Sequence, residues 1–293
     1  MTTSRTRNGT TDGPPPGGAP TGDGPTGDGP TGDGRAGRGR THPSPGPAGL
    51  AGAFGAEWTK LWSVRAPYVC LLAALAVTGV FTYYYGSIAR INARPVQPLG
   101  NAPVSSAVLV QFAVVVLAMT TVTSEYTTTG IRASLLWVPV RHRVLLAKAL
   151  LTAAVSFAAG AVSAVLGMAV AWAPFSGHAS FDAASATRQT LAVGGYYALV
   201  AVLTVGVSFA TRHAAGALAV LVTLLWALPA TLLALGGPAL LTVHDLLPHS
   251  LGSHLMRGGP DTPHPPGVAV LLLVAWALAA HLTGRCLLLR RDA

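Results

Sequence analysis

The sequence predicts an all-α membrane protein. It has a disordered polar N-terminal tail, an interfacial amphipathic elbow helix, six transmembrane helices and short outer helices between the fifth and sixth spans. Three observations carry that prediction. Of 293 residues, 51% are hydrophobic and only 10% charged, where a soluble domain carries about 25% charged residues. The apolar residues fall in runs near the length of about 20 that crosses a hydrocarbon layer as helix. The basic residues that produce the net charge of +9 lie between those runs, which is the membrane pattern. A nucleic-acid binder would instead gather its bases on one face of a polar domain, so no nucleic-acid partner is expected.

Residues 1–49 form the tail. Thr-Gly-Asp-Gly-Pro repeats at Thr21 and Thr26, with a broken third copy at Thr31. Such a segment buries too little apolar surface to offset its chain entropy and is expected to be disordered. It lacks the apolar stretch of a signal peptide. Arg35, Arg38 and Arg40 make its end basic, which suits a solvated linker or contact with anionic lipid headgroups.

Residues 50–66 are read as the elbow. Phe54, Trp58, Leu61 and Trp62 recur at helical spacing on one face, with Glu57, Lys60 and Arg65 largely off it. Two tryptophans on an amphipathic helix just before a span predict an element lying along the membrane interface. Pro67 separates the elbow from the first span, because proline starts helices better than it continues them.

Residues 67–293 form the six-span domain, with spans at about 68–85, 104–123, 149–173, 190–210, 214–235 and 267–289. Pro229 predicts a kink in the fifth. Thr211, Arg212 and His213 alone separate the fourth from the fifth, which predicts a tight hairpin. With the N-terminus inside, cytoplasmic segments hold Lys60, Arg65, Arg132, Arg141, Arg143, Lys148, Arg212, Arg285, Arg290 and Arg291. The outer segments hold only Arg90, Arg94, Arg188 and Arg257. The positive-inside rule then places both termini in the cytoplasm. Cys70 and Cys286 would lie near that face, where thiols stay reduced.

No Asp or Glu lies inside a span. Proton-driven carriers keep carboxylates at membrane depth, and intramembrane enzymes need acids, nucleophiles or metal ligands in facing positions. The polar residues at depth are Gln111, His281 and Arg285. Arg285 can snorkel. Gln111 and His281 are candidates to face a translocation path, though helix-to-helix hydrogen bonding is the commoner use of such residues. The chain has no G-x-x-x-x-G-K-[ST] phosphate loop, so it is not expected to hydrolyse ATP or to bind a cofactor itself. The outer segment between the fifth and sixth spans holds His244, His249, His254, His264, Asp245 and Asp261. A spacing of five does not bring three rings to one helix face, so no metal site is assigned. Leu240, Leu247, Leu251 and Leu255 there share a helix face in part, which suits an amphipathic or a re-entrant helix pair.

One connector remains. Residues 124–148 read SEYTTTGIRASLLWVPVRHRVLLAK and join the second span to the third. A basic anchor explains Arg141 and Arg143. It does not require Glu125, Tyr126 or the Gly130-Ile131-Arg132 turn.

From Phe54 to the C-terminus the sequence resembles the membrane subunit of an ATP-binding cassette exporter, of the type-2 permease family common in high-GC actinobacteria. The residues that carry the resemblance are Glu57-Trp58-Thr59-Lys60-Leu61 with Val64-Arg65, and Ser124-Glu125-Tyr126 with Ile131-Arg132. Val138-Pro139 with Arg141 and Arg143 comes next, then Ala147-Lys148-Ala149, Leu247-Pro248 and Arg290-Arg291-Asp292. Thr129 stands where the family has glycine, and Gly130 comes one place later. The resemblance implies half of a translocation path in the bacterial plasma membrane, bounded by lipid. It implies a dimer with a second permease copy or paralogue, and an ABC ATPase subunit that binds ATP and Mg. Glu125, Tyr126, Arg132, Arg141 and Arg143 would form the ATPase-coupling segment. The competing expectation is a polytopic scaffold or regulatory protein that moves nothing.

Overall fold

A computed structural model describes residues 50–92, 94–127, 141–258 and 262–291. The tail, Arg132 and Asp261 lie outside the described residues. Helix dominates the described residues. Six helices among the described residues are long and apolar enough to cross a membrane.

The elbow helix, Leu50–Ser63, ends before Ala66 begins the first span, Ala66–Ile91, with Pro67 in its first turn. The missing N–H of proline costs nothing at that position. The second span lies in the helix Asn101–Thr127 and the third in Arg141–Phe175. The fourth is Ala183–Thr211. Each runs past the stretch expected from hydropathy, because a helix continues into polar residues wherever its ends are capped or packed. At the fourth span the extension has a visible cause: Asp182 Oδ2 accepts the Ser185 N–H at 2.8 Å, a side-chain cap that starts the helix in polar sequence.

The hairpin between the fourth and fifth spans is as tight as its three residues require. Arg212 adopts the left-handed conformation at φ 63°, and His213 Nδ1 accepts the Gly216 N–H at 2.9 Å to cap the next helix. The fifth span consists of Ala214–Val222, a π-helical turn over Thr223–Ala227, and Leu228–Leu235. The expected irregularity at Pro229 thus takes the form of a widened turn. Proline has no N–H for the carbonyl of Leu225, four residues back, and its ring crowds that carbonyl; a π turn absorbs both.

Two short outer helices come next, Pro238–Asp245 and Pro248–Arg257, and the sixth span lies in Pro266–Arg291. At this same end, the two-residue strands Gln97–Pro98 and Ala179–Ser180 pair in parallel, Gln97 opposite Ala179. Gln189 Nε2 donates to Asn101 Oδ1 at 3.1 Å, and Tyr85 Oη to Gln97 Oε1 at 3.1 Å. The end is therefore stitched by polar contacts between the helices and their connections.

The core sits on the second and fourth spans, around Val110, Val114, Ala118, Tyr196, Tyr197 and Val200. Small residues set the approach of the helices. A Cβ added at Gly160 would lie 2.9 Å from Gly194 Cα, and one at Gly206 would lie 2.6 Å from the His281 backbone nitrogen. The third, fourth and sixth spans therefore touch backbone to backbone, where packing drives association in lipid. Hydroxyls inside the spans mostly bond within their own helix: Thr78, Thr82, Thr204 and Ser208 each donate to the carbonyl four residues back. That local bond satisfies them where water is absent.

Candidate functional site

The elbow helix packs by an i, i+4, i+8 stripe of Ala53, Glu57 and Leu61, all buried. That stripe lies beside the apolar face expected to meet the membrane interface. Leu61 is on it, Phe54 and Trp62 flank it half-buried, and Trp58 is 47% exposed. Glu57, expected off the apolar face, is 5% exposed. The cause is a partner: its Oε2 forms an ion pair and hydrogen bond with Lys148 Nζ of the third span, 91 residues on. Lys148 is itself 1% exposed. Its ammonium also donates to the Thr121 carbonyl of the second span at 3.0 Å. The other carboxylate oxygen, Oε1, accepts from exposed Lys60 at 2.8 Å. Elbow, second span and third span thus meet at one buried cation. Leu61, Cys70, Leu117, Leu151 and Val155 form the apolar layer beside it. Trp62 packs on Tyr68 with centroids 5.3 Å apart, across the break between elbow and first span.

The residues expected to couple to a partner stand at this end of the bundle. Glu125 and Tyr126 fall in the last turn of the second-span helix, and Arg141 and Arg143 in the first turn of the third-span helix. Their backbones are helical. Arg132 belongs to residues 128–140, outside those described. Lys148 and Glu57 carried family motif positions in the sequence, yet pairing them required knowing that the elbow folds back on the third span. An acid on a helix of otherwise apolar and small neighbours, and a lysine entering an apolar run, were the signals available.

Gln111 and His281 are not brought together. Gln111 is fully buried, and its Oε1 accepts the Tyr196 hydroxyl at 2.6 Å, bridging the second and fourth spans. Its Nε2 has no partner among the described residues. His281 is partly exposed on the sixth span, beside the close approach of Gly206.

At the far end, the helix Pro248–Arg257 buries Leu251 and Met256 against the bundle. Leu247 is buried as well, while Leu240 on the preceding helix is exposed. Gly252 lies against the Tyr196 ring, directly linking this outer helix to the Tyr196–Gln111 bond. His244 Nδ1 lies 3.1 Å from Asp245 Oδ1, and its Nε2 lies 3.2 Å from Ser250 Oγ. Trp276 Nε1 donates to the Leu246 carbonyl at 2.9 Å and ties the outer helices to the sixth span. No metal-holding group of three His, Cys, Asp or Glu occurs among the described residues.

A family model described as ABC-2 family transporter protein matches residues 53–230, well over half of the chain. The protein is a member of the ABC-2 transporter family. The match begins at the elbow and runs through the π turn of the fifth span, so it contains Glu57, Thr121 and Lys148. The chain is accordingly a multi-pass membrane protein and a permease component of an ABC transporter. No curated protein matches it.

Proposed function

We propose that this permease is the transmembrane half of an ATP-driven exporter, working with a separate ATPase subunit and a second permease copy or paralogue. ATP and Mg belong to the ATPase, and this chain binds no cofactor. Both termini lie in the cytoplasm, with the connector 124–148 facing the ATPase. The observation that supports this best is the convergence of elbow, second span and third span on Lys148 beside that connector. A force applied to the connector enters a joint of three helices rather than a single free loop. ATP-driven closure of the ATPase would tilt the bundle through this two-state joint. The outer helices, of which Pro248–Arg257 docks on Tyr196, would then serve as the external lid.

The decisive experiment is recovery of the tagged permease from membranes in mild detergent. An ATPase subunit is expected to copurify and to hydrolyse ATP. Substitution of Glu125 or Arg132 is expected to leave insertion intact while loosening that association or uncoupling hydrolysis from transport. A permease that purifies without any ATPase, or Glu125 and Arg132 variants that behave as native, would sink the assignment and favour a scaffold.

A further inference from the structure

We propose that Glu57 and Lys148 are positioning residues for transport: their ion pair latches the elbow helix to the third span, so that movement of the connector is carried into the first span. This inference rests on the exporter reading above and assigns two residues of that same site a role in it.

The attachment of the elbow is asymmetric. To the first span it is joined by the chain itself, through Val64 and Arg65, and by the Trp62–Tyr68 contact, where Tyr68 Oη also donates to the Trp62 carbonyl at 3.2 Å. To the third span it is joined side by side, through Glu57 on Lys148 and through Leu61 in the apolar layer with Leu151 and Val155. The apolar contact of Leu61 has no directional bond to fix its register. The ion pair is the one fixed point in that stripe. Lys148 stands seven residues inside a helix that begins at Arg141, roughly 10 Å or two turns from the start of that helix. An unbroken helix of that length transmits displacement as a rigid rod. The elbow then acts as a crank, driven at Glu57 and pulling the first span through Val64 and Arg65.

Energetics favour position over stability as the reason for the pair. Two charges taken from water into a buried site recover their desolvation only with good geometry and further hydrogen bonds, and an apolar pair of similar volume often holds a fold as well. Both extra bonds are present, to Thr121 and Lys60. What the ion pair adds over an apolar contact is a single register between the helices.

The test uses the permease purified with its ATPase in lipid nanodiscs, in a Cys70→Ala/Cys286→Ser background. Spin labels are placed at two exposed positions, Thr59→Cys on the elbow and Leu150→Cys on the third span. Pulsed EPR distances are read before and after trapping with ATP and vanadate. With the native pair, one narrow distance is expected in both states. The double variant Glu57→Leu/Lys148→Met removes both charges of the pair together, so the joint should still pack. Its distance distribution should broaden and shift on trapping. Lys60→Ala, which removes the exposed half of the network, should behave as native. If the double variant is not recovered from membranes, Glu57→Asp keeps both charges but shortens the reach by one methylene, and the same broadening is expected.

A narrow, unshifted distance in those variants overturns the latch alone, as does a native pair whose distance shifts on trapping. A purely structural role would lower recovery or melting temperature and leave the trapped distance unchanged. If no ATPase accompanies the native permease, the exporter reading falls and the latch with it.

Discussion

A Cβ built on Gly252 would overlap the Tyr196 ring, with Cζ 2.8 Å away. Tyr196 cannot swing aside freely, because its ring is fully buried and its hydroxyl is held by Gln111 at 2.6 Å. Glycine is therefore required here for space, in an ordinary helical backbone. Gly252→Ala should push the outer helix outward or displace Tyr196, at about 1–3 kcal/mol for overpacking. Gly195, one residue before Tyr196, has nothing within 4 Å of an added Cβ. Gly195→Ala should be neutral or slightly stabilising, since alanine is the better helix former. Thermal melts of the two variants in one detergent check the pair of expectations: a similar fall in both, or in neither, would contradict the assigned contact. The same reasoning separates Gly160 and Gly206, which touch neighbouring backbones, from Gly79, which faces open space.

Among the elements, the outer helix Pro248–Arg257 is expected to dock in a pH-dependent way. Burial holds the His249 imidazole below its ordinary range, with repulsion from His244, Arg257 and His254 adding to it. His254 moves the same way, burial outweighing the pull of Asp245. Both rings are thus favoured neutral when the helix is docked. A released helix takes up protons as pH falls below the ordinary value of 6.5, while the docked one resists. Docking is therefore fully present above pH 6.5 and is lost as pH falls from there towards the depressed docked values. Amide exchange across Pro248–Arg257, corrected for its intrinsic pH dependence, should be faster at about pH 5.5 than at 7.5. His249→Gln should remove much of the difference, and unchanged exchange in the native protein would contradict the argument. At this scale the sequence was readable in part. Leu247 and Leu251 announced a helix with a buried face, and the six apolar runs announced the spans. The polar start of the third-span helix, Arg141–Lys148, was not visible to a hydropathy argument, since charge there says where a helix leaves the hydrocarbon and nothing about where its backbone begins. The side of the elbow that packs on the bundle was hidden for a related reason. An acid is placed outside by composition, and only a partner distant in sequence reverses that.

For the whole molecule, burial is uneven in a way that constrains its surroundings. The most apolar stretches of the second and fourth spans are 67% and 61% buried, whereas those of the first, fifth and sixth are each 22% buried. The first, fifth and sixth spans therefore present broad apolar faces outward, which only hydrocarbon or another hydrophobic subunit can cover without cost. The polar features divide between the two ends instead. The elbow end carries Lys60, Arg65 and the helix ends at Glu125 and Arg141, and the opposite end carries the strand pair, Asp182 and the histidine-bearing outer helices. Charge bias then predicts the elbow end inside. A membrane-impermeant maleimide tests it on intact cells, in the Cys70→Ala/Cys286→Ser background. Phe181→Cys, at an exposed position of the end opposite the elbow, should label without permeabilisation. Thr59→Cys on the elbow should label only after it. The reverse pattern would invert the molecule, remove the connector from any cytoplasmic ATPase, and leave the buried Glu57–Lys148 joint without a source of force.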